Sequence, residues 1–275
     1  MTGRIFRQHG VPYLVVVALA LAFVVATKTA YGNGPENIEV QARVGDQTTE
    51  LEHGTIIAQG EMVTAPQQRA GSGGGLPDSD TRCNVPDFQL SGDLTKGFTQ
   101  GIVEVTLTEE CALKVTSIQQ FQAVTERTVN DDDDDYVIAG WAESAFIDLI
   151  GIVLAGTRSE ISYWVSGSGS VIGNAHNIEH ECEYFGLSGW EEDSCEGSRS
   201  SPGATSVYAK TTGEFHNPRC NWTPGGATGS CRHTQWSKFR SGTVYWQGTF
   251  SCDYTSPLNT YPVPGAIWRC RGGQN

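Results

Sequence analysis

The stretch Gly101–Phe121, GIVEVTLTEECALKVTSIQQF, decides the fold class. Val103, Val105 and Leu107 occupy alternate positions, with Glu104, Thr106 and Thr108 between them. Successive side chains of an extended chain point to opposite faces, so this alternation reads as a strand with one apolar face. After Glu109 and Glu110 the pattern resumes, with Leu113 and Val115 again sharing a face. Period two on both sides of a short polar connection is the signature of a β-hairpin.

The same period recurs outward from this hairpin. Ile161, Tyr163 and Val165 alternate with Glu160 and Ser162 ahead of a Ser/Gly turn, SGSGS. Val207, Ala209, Thr211 and Phe215 mark another strand, and Val244, Trp246, Phe250 and Cys252 are read as one face of a further one. Ala266, Trp268 and Cys270 give the last. YVIAGWAESAFIDLIGIVLAG (136–156) fits two periods. Ala142, Phe146, Leu149, Ile150 and Val153 have helical spacing, whereas the Ile/Val content, Trp141 and the glycines favour strand. Strand is the reading adopted for residues 137–155. A sheet must bury one face against something, so residues 83–275 are expected to form an all-β, disulfide-stapled, β-sandwich-like domain.

Two segments precede it. Residues 1–32 carry Arg4 and Arg7, then an apolar run from Val11 to Ala26, then small residues at Val24, Ala26, Ala30 and Gly32 that suit cleavage. The run is shorter than the roughly 20 residues a membrane span needs, so it reads as a signal peptide, with a retained anchor as the alternative. Residues 33–82 read as a flexible linker or stalk, with sparse apolar residues and the Gly/Pro/Ser/Gln-rich tract TAPQQRAGSGGGLPDSDT; a short strand near Gly54–Val63 is the exception allowed.

Eight cysteines all lie beyond residue 32: Cys83, Cys111, Cys182, Cys195, Cys220, Cys231, Cys252 and Cys270. An even set in an exported region implies a disulfide framework, and the absence of any C-x(2–4)-C spacing argues against zinc. Nearest-neighbour pairing is the natural assignment. Cys252 and Cys270 share the apolar faces of the last two strands, and adjacent antiparallel pairing would bring them together.

The formal charge is −13, and removing the first 32 residues leaves 15 basic and 31 acidic residues. That balance argues against nucleic acid and anionic membrane surfaces as partners. His176, His180 and Glu181 form the most metal-like cluster. A helix would align the two histidines, but the preceding Ser/Gly turn and following Cys182 disfavour one, which leaves a polar surface loop as the preferred reading. The run Asp131–Asp135, with Asp131, Asp133 and Asp135 as its oxygen donors, is the one opening for calcium. It lacks the glycine and glutamate positions of an EF-hand, so a solvated loop is preferred and no cofactor is expected. No nucleophile elbow, phosphate loop or dinucleotide fingerprint occurs. Trp190, Trp222 and Trp236 lie in polar, charged or Gly/Pro-rich surroundings that suit either of two readings, rings that stack on a ligand or loop tryptophans folded back over a sandwich edge; Trp246 and Trp268 read as core. The function expected is therefore a secreted or cell-surface binding or structural module for an extracellular glycan or protein. A secreted hydrolase acting on polysaccharide or peptide is the alternative.

Overall fold

A computed structural model describes residues 39–64, 81–94, 98–122, 135–186, 189–218, 231–255 and 262–275. The proposed signal segment, Asp131, Asp133, Cys220 and Trp222 lie outside them. The strands, in chain order, are β1 (Val40–Val44), β2 (Gln47–Glu50), β3 (Ile56–Gln59), β4 (Glu61–Thr64), β5 (Thr81–Asn84), β6 (Phe88–Leu94), β7 (Phe98–Leu107) and β8 (Ala112–Gln122). They continue as β9 (Tyr136–Ile147), β10 (Val153–Val165), β11 (Val171–Tyr184), β12 (Glu191–Arg199), β13 (Tyr208–Asn217), β14 (Cys231–Ser241), β15 (Gly248–Thr255) and β16 (Ile267–Gln274). No helix of the described residues is long and apolar enough to cross a membrane.

Two seven-stranded antiparallel sheets stack as a β-sandwich, and β4–β5 form a separate ribbon. Sheet A runs β12-β13-β14-β15-β6-β1-β2, and sheet B runs β11-β10-β9-β16-β7-β8-β3. Across the interior, β10 lies over β13 and β14, β9 over β14 and β15, and β16 over β15 and β6. The alternation read from the sequence is the burial pattern observed. Val103, Val105, Leu107, Leu113 and Val115 are buried on the β7–β8 hairpin, as are Ile161, Tyr163 and Val165 on β10. The ambiguous stretch 137–155 is β9, a turn and the start of β10. The turn is fastened by the Asp148 carboxylate, which accepts hydrogen bonds from the Ile150 and Ile152 amides at 3.0 and 2.8 Å. That local side-chain cap ends the strand where helical spacing would have continued.

Residues 39–64 fall within the stretch read as linker, and they supply β1 to β4. Few apolar side chains are needed there, because β1 and β2 extend one edge of sheet A and β3 an edge of sheet B. Val40, Ala42 and Leu51 are buried, while β2 is exposed throughout and is held by its backbone pairing with β1. Short edge strands of this kind carry almost no compositional signal.

Three disulfides join pairs of described residues: Cys83–Cys111, Cys182–Cys195 and Cys252–Cys270. Cys231 is also disulfide-bonded. The Cys252–Cys270 bond forms, but not between neighbouring strands. β15 belongs to sheet A and β16 to sheet B, so the bond crosses the sandwich. Period two shows that both thiols face inward; it does not say whether two inward faces share a sheet or oppose each other. Cys182–Cys195 likewise ties β11 to β12, the edge strands of opposite sheets.

A polar seam runs through the largely apolar interior. Ser144, Thr157, Ser159, Gln235 and Ser237 are fully buried between the sheets. The Ser144 and Thr157 hydroxyls lie 2.8 Å apart, the Thr157 hydroxyl donates to Ser237 Oγ at 3.1 Å, and the Gln235 amide donates to Ser144 Oγ at 3.0 Å. Each buried polar group thereby recovers a partner lost from water, which keeps the seam from costing stability.

Candidate ligand-binding face

Of the sequence-predicted metal residues, His180 and Glu181 do not converge. His176, His180 and Glu181 lie on strand β11, where successive side chains point to opposite faces. His180 pairs with inward-facing Ser159 and Glu181 with outward-facing Arg158. The His180 Nδ1 is 2.9 Å from the Thr211 hydroxyl, and a Cβ at Gly197 would sit 2.0 Å from its ring, so only glycine fits beneath it. A β-bulge falls at His176, between Ala175 opposite Tyr163 and Asn177 opposite Ser162. Asp135 is exposed immediately before β9. Among the described residues no group of three His, Cys, Asp or Glu side chains is arranged to hold a metal.

The predicted aromatic platforms separate as well. Trp190 is buried, its ring edge-on to Phe146 at 6.3 Å and to His233 at 6.3 Å, so it closes the core and offers no stacking surface. Trp246 sits half-buried in the turn before β15, edge-on to Tyr245 at 5.0 Å; it does not share the strand face of Cys252. Trp268 is core, stacked on Phe146 at 5.3 Å. His233, wedged among these rings, is held neutral: burial pushes its pKa down to about 4, against weaker opposite pulls from Gln235, Thr255 and Asp87.

Trp236 has a different setting. The inward residues of β13 and β14, such as Ala209, Thr211, Phe215, Gln235 and Phe239, are buried. Their alternates therefore face outward: Tyr208 and Lys210 on β13, and Trp236, Lys238 and Arg240 on β14. The register places Tyr208 opposite Arg240, Lys210 opposite Lys238, and Thr212 opposite Trp236. Each lysine then crosses diagonally to a ring. The Lys210 ammonium lies 4.5 Å from the Trp236 ring centroid and the Lys238 ammonium 4.8 Å from that of Tyr208. The result is a ring–cation–cation–ring zigzag on the outer face of sheet A, with Arg240 exposed beside it. Burial, then the charges of Arg240 and Lys210, push the Lys238 ammonium below the ordinary lysine value. Asp253 stands opposite Trp236 on β15; burial raises its pKa, with Asp87 adding to the rise, while Thr255 and Lys210 act against it.

The outer face of sheet B is arranged otherwise. One cross-strand row reads Glu181, Arg158, Glu143, Arg271 from β11 to β16, alternating in sign. Arg271 donates to both carboxylate oxygens of Glu143 at 2.9 and 2.6 Å, and Arg158 pairs with Glu160 at 2.8 Å and Glu143 at 3.7 Å. The two guanidiniums cover Trp141 at 5.1 and 5.7 Å, which leaves that outward-facing ring buried. Arg269 reaches Glu104 at 3.7 Å.

The lysine pair was missed by sequence reading although half of its signal was present. Tyr208 and Lys210, like Trp236, Lys238 and Arg240, stand at period two in their own segments. Which residues they meet depends on the β13–β14 register, and the intervening residues 218–230 form too long a connection for a turn rule to set it. No protein-family model, no curated protein and no solved structure matches this chain.

Proposed function

We propose that this chain is an extracellular binding module that takes an anionic partner on the outer face of sheet A. The observation that carries the reading is the Lys210–Lys238 pair. Like charges directly opposite on paired strands destabilise a sheet. In a chain of formal charge −13, placing two lysines face to face with Arg240 alongside breaks the local rule where carboxylates abound. Such breaks are expected where a surface is shaped for a ligand. The rings beneath the ammonium groups hold them in place, so less side-chain entropy is lost when an anion arrives. The acidic remainder of the chain does not prevent this. Screening at physiological ionic strength confines each charge to about 8 Å, so the local patch decides what docks. The disulfide-tied sandwich is compatible with an oxidising, extracellular setting.

The test is retention of the oxidised, folded chain on beads carrying sulfate groups, against uncharged beads, with a double variant Lys210→Ser/Lys238→Ser alongside. The wild type should be retained and released by salt, and the variant should pass through. Equal retention of both, or of neither, contradicts the reading.

A further inference from the structure

We infer that the occupant of this face is a linear anionic polysaccharide, a chain bearing carboxylate or sulfate groups; the inference rests on the anion-docking reading above. The choice of glycan over acidic protein comes from what surrounds the lysine pair. Protein–protein interfaces concentrate apolar area at their buried core. Among the described residues the exposed large hydrophobics are Ile56, Met62, Phe121, Leu149, Ile150, Ile172 and Tyr184. All of them belong to sheet B, to the β4 ribbon or to the β9–β10 turn; sheet A contributes none.

What sheet A presents around the lysine pair is hydroxyl and amide groups, interspersed with the carboxylates of Asp93, Glu214 and Asp253. Gln89 and Ser91 on β6, Thr249 and Ser251 on β15, Thr234 on β14 and Thr212 on β13 alternate with buried residues and so line the outer face. These short groups donate and accept hydrogen bonds at little entropic cost, which suits a ligand that is itself rich in hydroxyls. At the centre of the patch the cations are two lysines, which act as rotatable point charges, in contrast to the bidentate fork of Arg271 on Glu143 of sheet B. An open sheet face covers only one side of a ligand, so affinity has to accumulate from several weak contacts along a polymer. The width from β13 to β6 is about 14 Å at the usual strand spacing, room for a chain to cross more than one rung.

Calorimetric titration of the folded chain with polygalacturonate, dextran sulfate, poly-glutamate and neutral dextran tests this. At equal charge concentration, one of the two anionic glycans should bind at least about tenfold more tightly than poly-glutamate, and whichever it is identifies carboxylate or sulfate as the preferred group. Neutral dextran should not bind. A Thr234→Val/Ser251→Ala variant should weaken the glycan several-fold while its retention on sulfate beads and its melting temperature stay unchanged. Poly-glutamate binding as tightly as either glycan, or neutral dextran binding equally, overturns the glycan assignment and leaves anion docking standing. Absence of binding to every polymer, together with passage through sulfate beads, removes both.

Discussion

On the outer face of sheet B, Arg158, Arg269 and Arg271 each have a carboxylate within 4 Å, and two of them close over Trp141. On the outer face of sheet A, Lys210 and Lys238 face each other across paired strands and lean on Trp236 and Tyr208, with Asp253 felt by Lys210 through its charge. Both faces use the same materials: a tryptophan, flanking cations and antiparallel pairing. One neutralises itself and buries its indole; the other keeps its charge available. The difference teaches that a cation–aromatic contact has no fixed meaning on a sheet. The cross-strand partner decides whether it seals the surface or prepares it for a ligand.

The contrast requires a rigid frame behind both faces, and the largest effects should come from breaking that frame. Replacing Cys252 and Cys270 together by Ala removes one covalent tie between the sheets, across a sequence separation of 18 residues. Stability should fall by about 3 kcal/mol, chiefly because the unfolded chain gains freedom. Urea unfolding measures this, and the folded fraction should keep its sulfate-bead retention.

Acid should weaken the frame through His233. Its folded pKa of about 4 lies below the ordinary 6.5, so the unfolded chain binds the proton more readily. The stabilisation is complete above pH 6.5 and is lost as pH falls toward 4; the shift corresponds to about 3 kcal/mol. A His233→Gln variant should flatten the stability profile across this window. An unchanged slope would place the titrating group elsewhere.

On the faces themselves, Glu143→Ala should cost between about 1 and 2 kcal/mol, since it removes a two-oxygen pairing from Arg271 and leaves two guanidiniums facing each other over Trp141. The corresponding change on sheet A, Lys210→Ser/Lys238→Ser, should alter stability by no more than about 0.5 kcal/mol, because lost ring contacts are offset by relieved repulsion. A large loss from the lysine change, or none from Glu143→Ala, would erase the contrast between the faces.

Much of the frame was legible in the sequence, because period two is a direct consequence of strand geometry. Val103, Val105 and Leu107 could be assigned inward without any structure. What period two does not encode is the third dimension. It put Cys252 and Cys270 on apolar faces but not on opposite sheets. It left open whether Trp190, in a loop rich in acids and glycine, meets a ligand or folds back, as it does onto Phe146. β1 and β2 escaped notice because edge strands rely on backbone pairing more than on apolar content. The candidate site was less legible still. Trp236 was singled out for its surroundings, but its neighbours Lys210 and Lys238 acquire meaning only through a register that local sequence does not set.

The most direct test measures melting temperature and sulfate-bead retention on two variants side by side, Lys210→Ser/Lys238→Ser and Glu143→Ala. The lysine variant should melt with the wild type and lose retention, and the Glu143 variant should melt lower and keep it. If the lysine variant melts lower while still being retained, the cations of sheet A are structural and its face is not the binding surface.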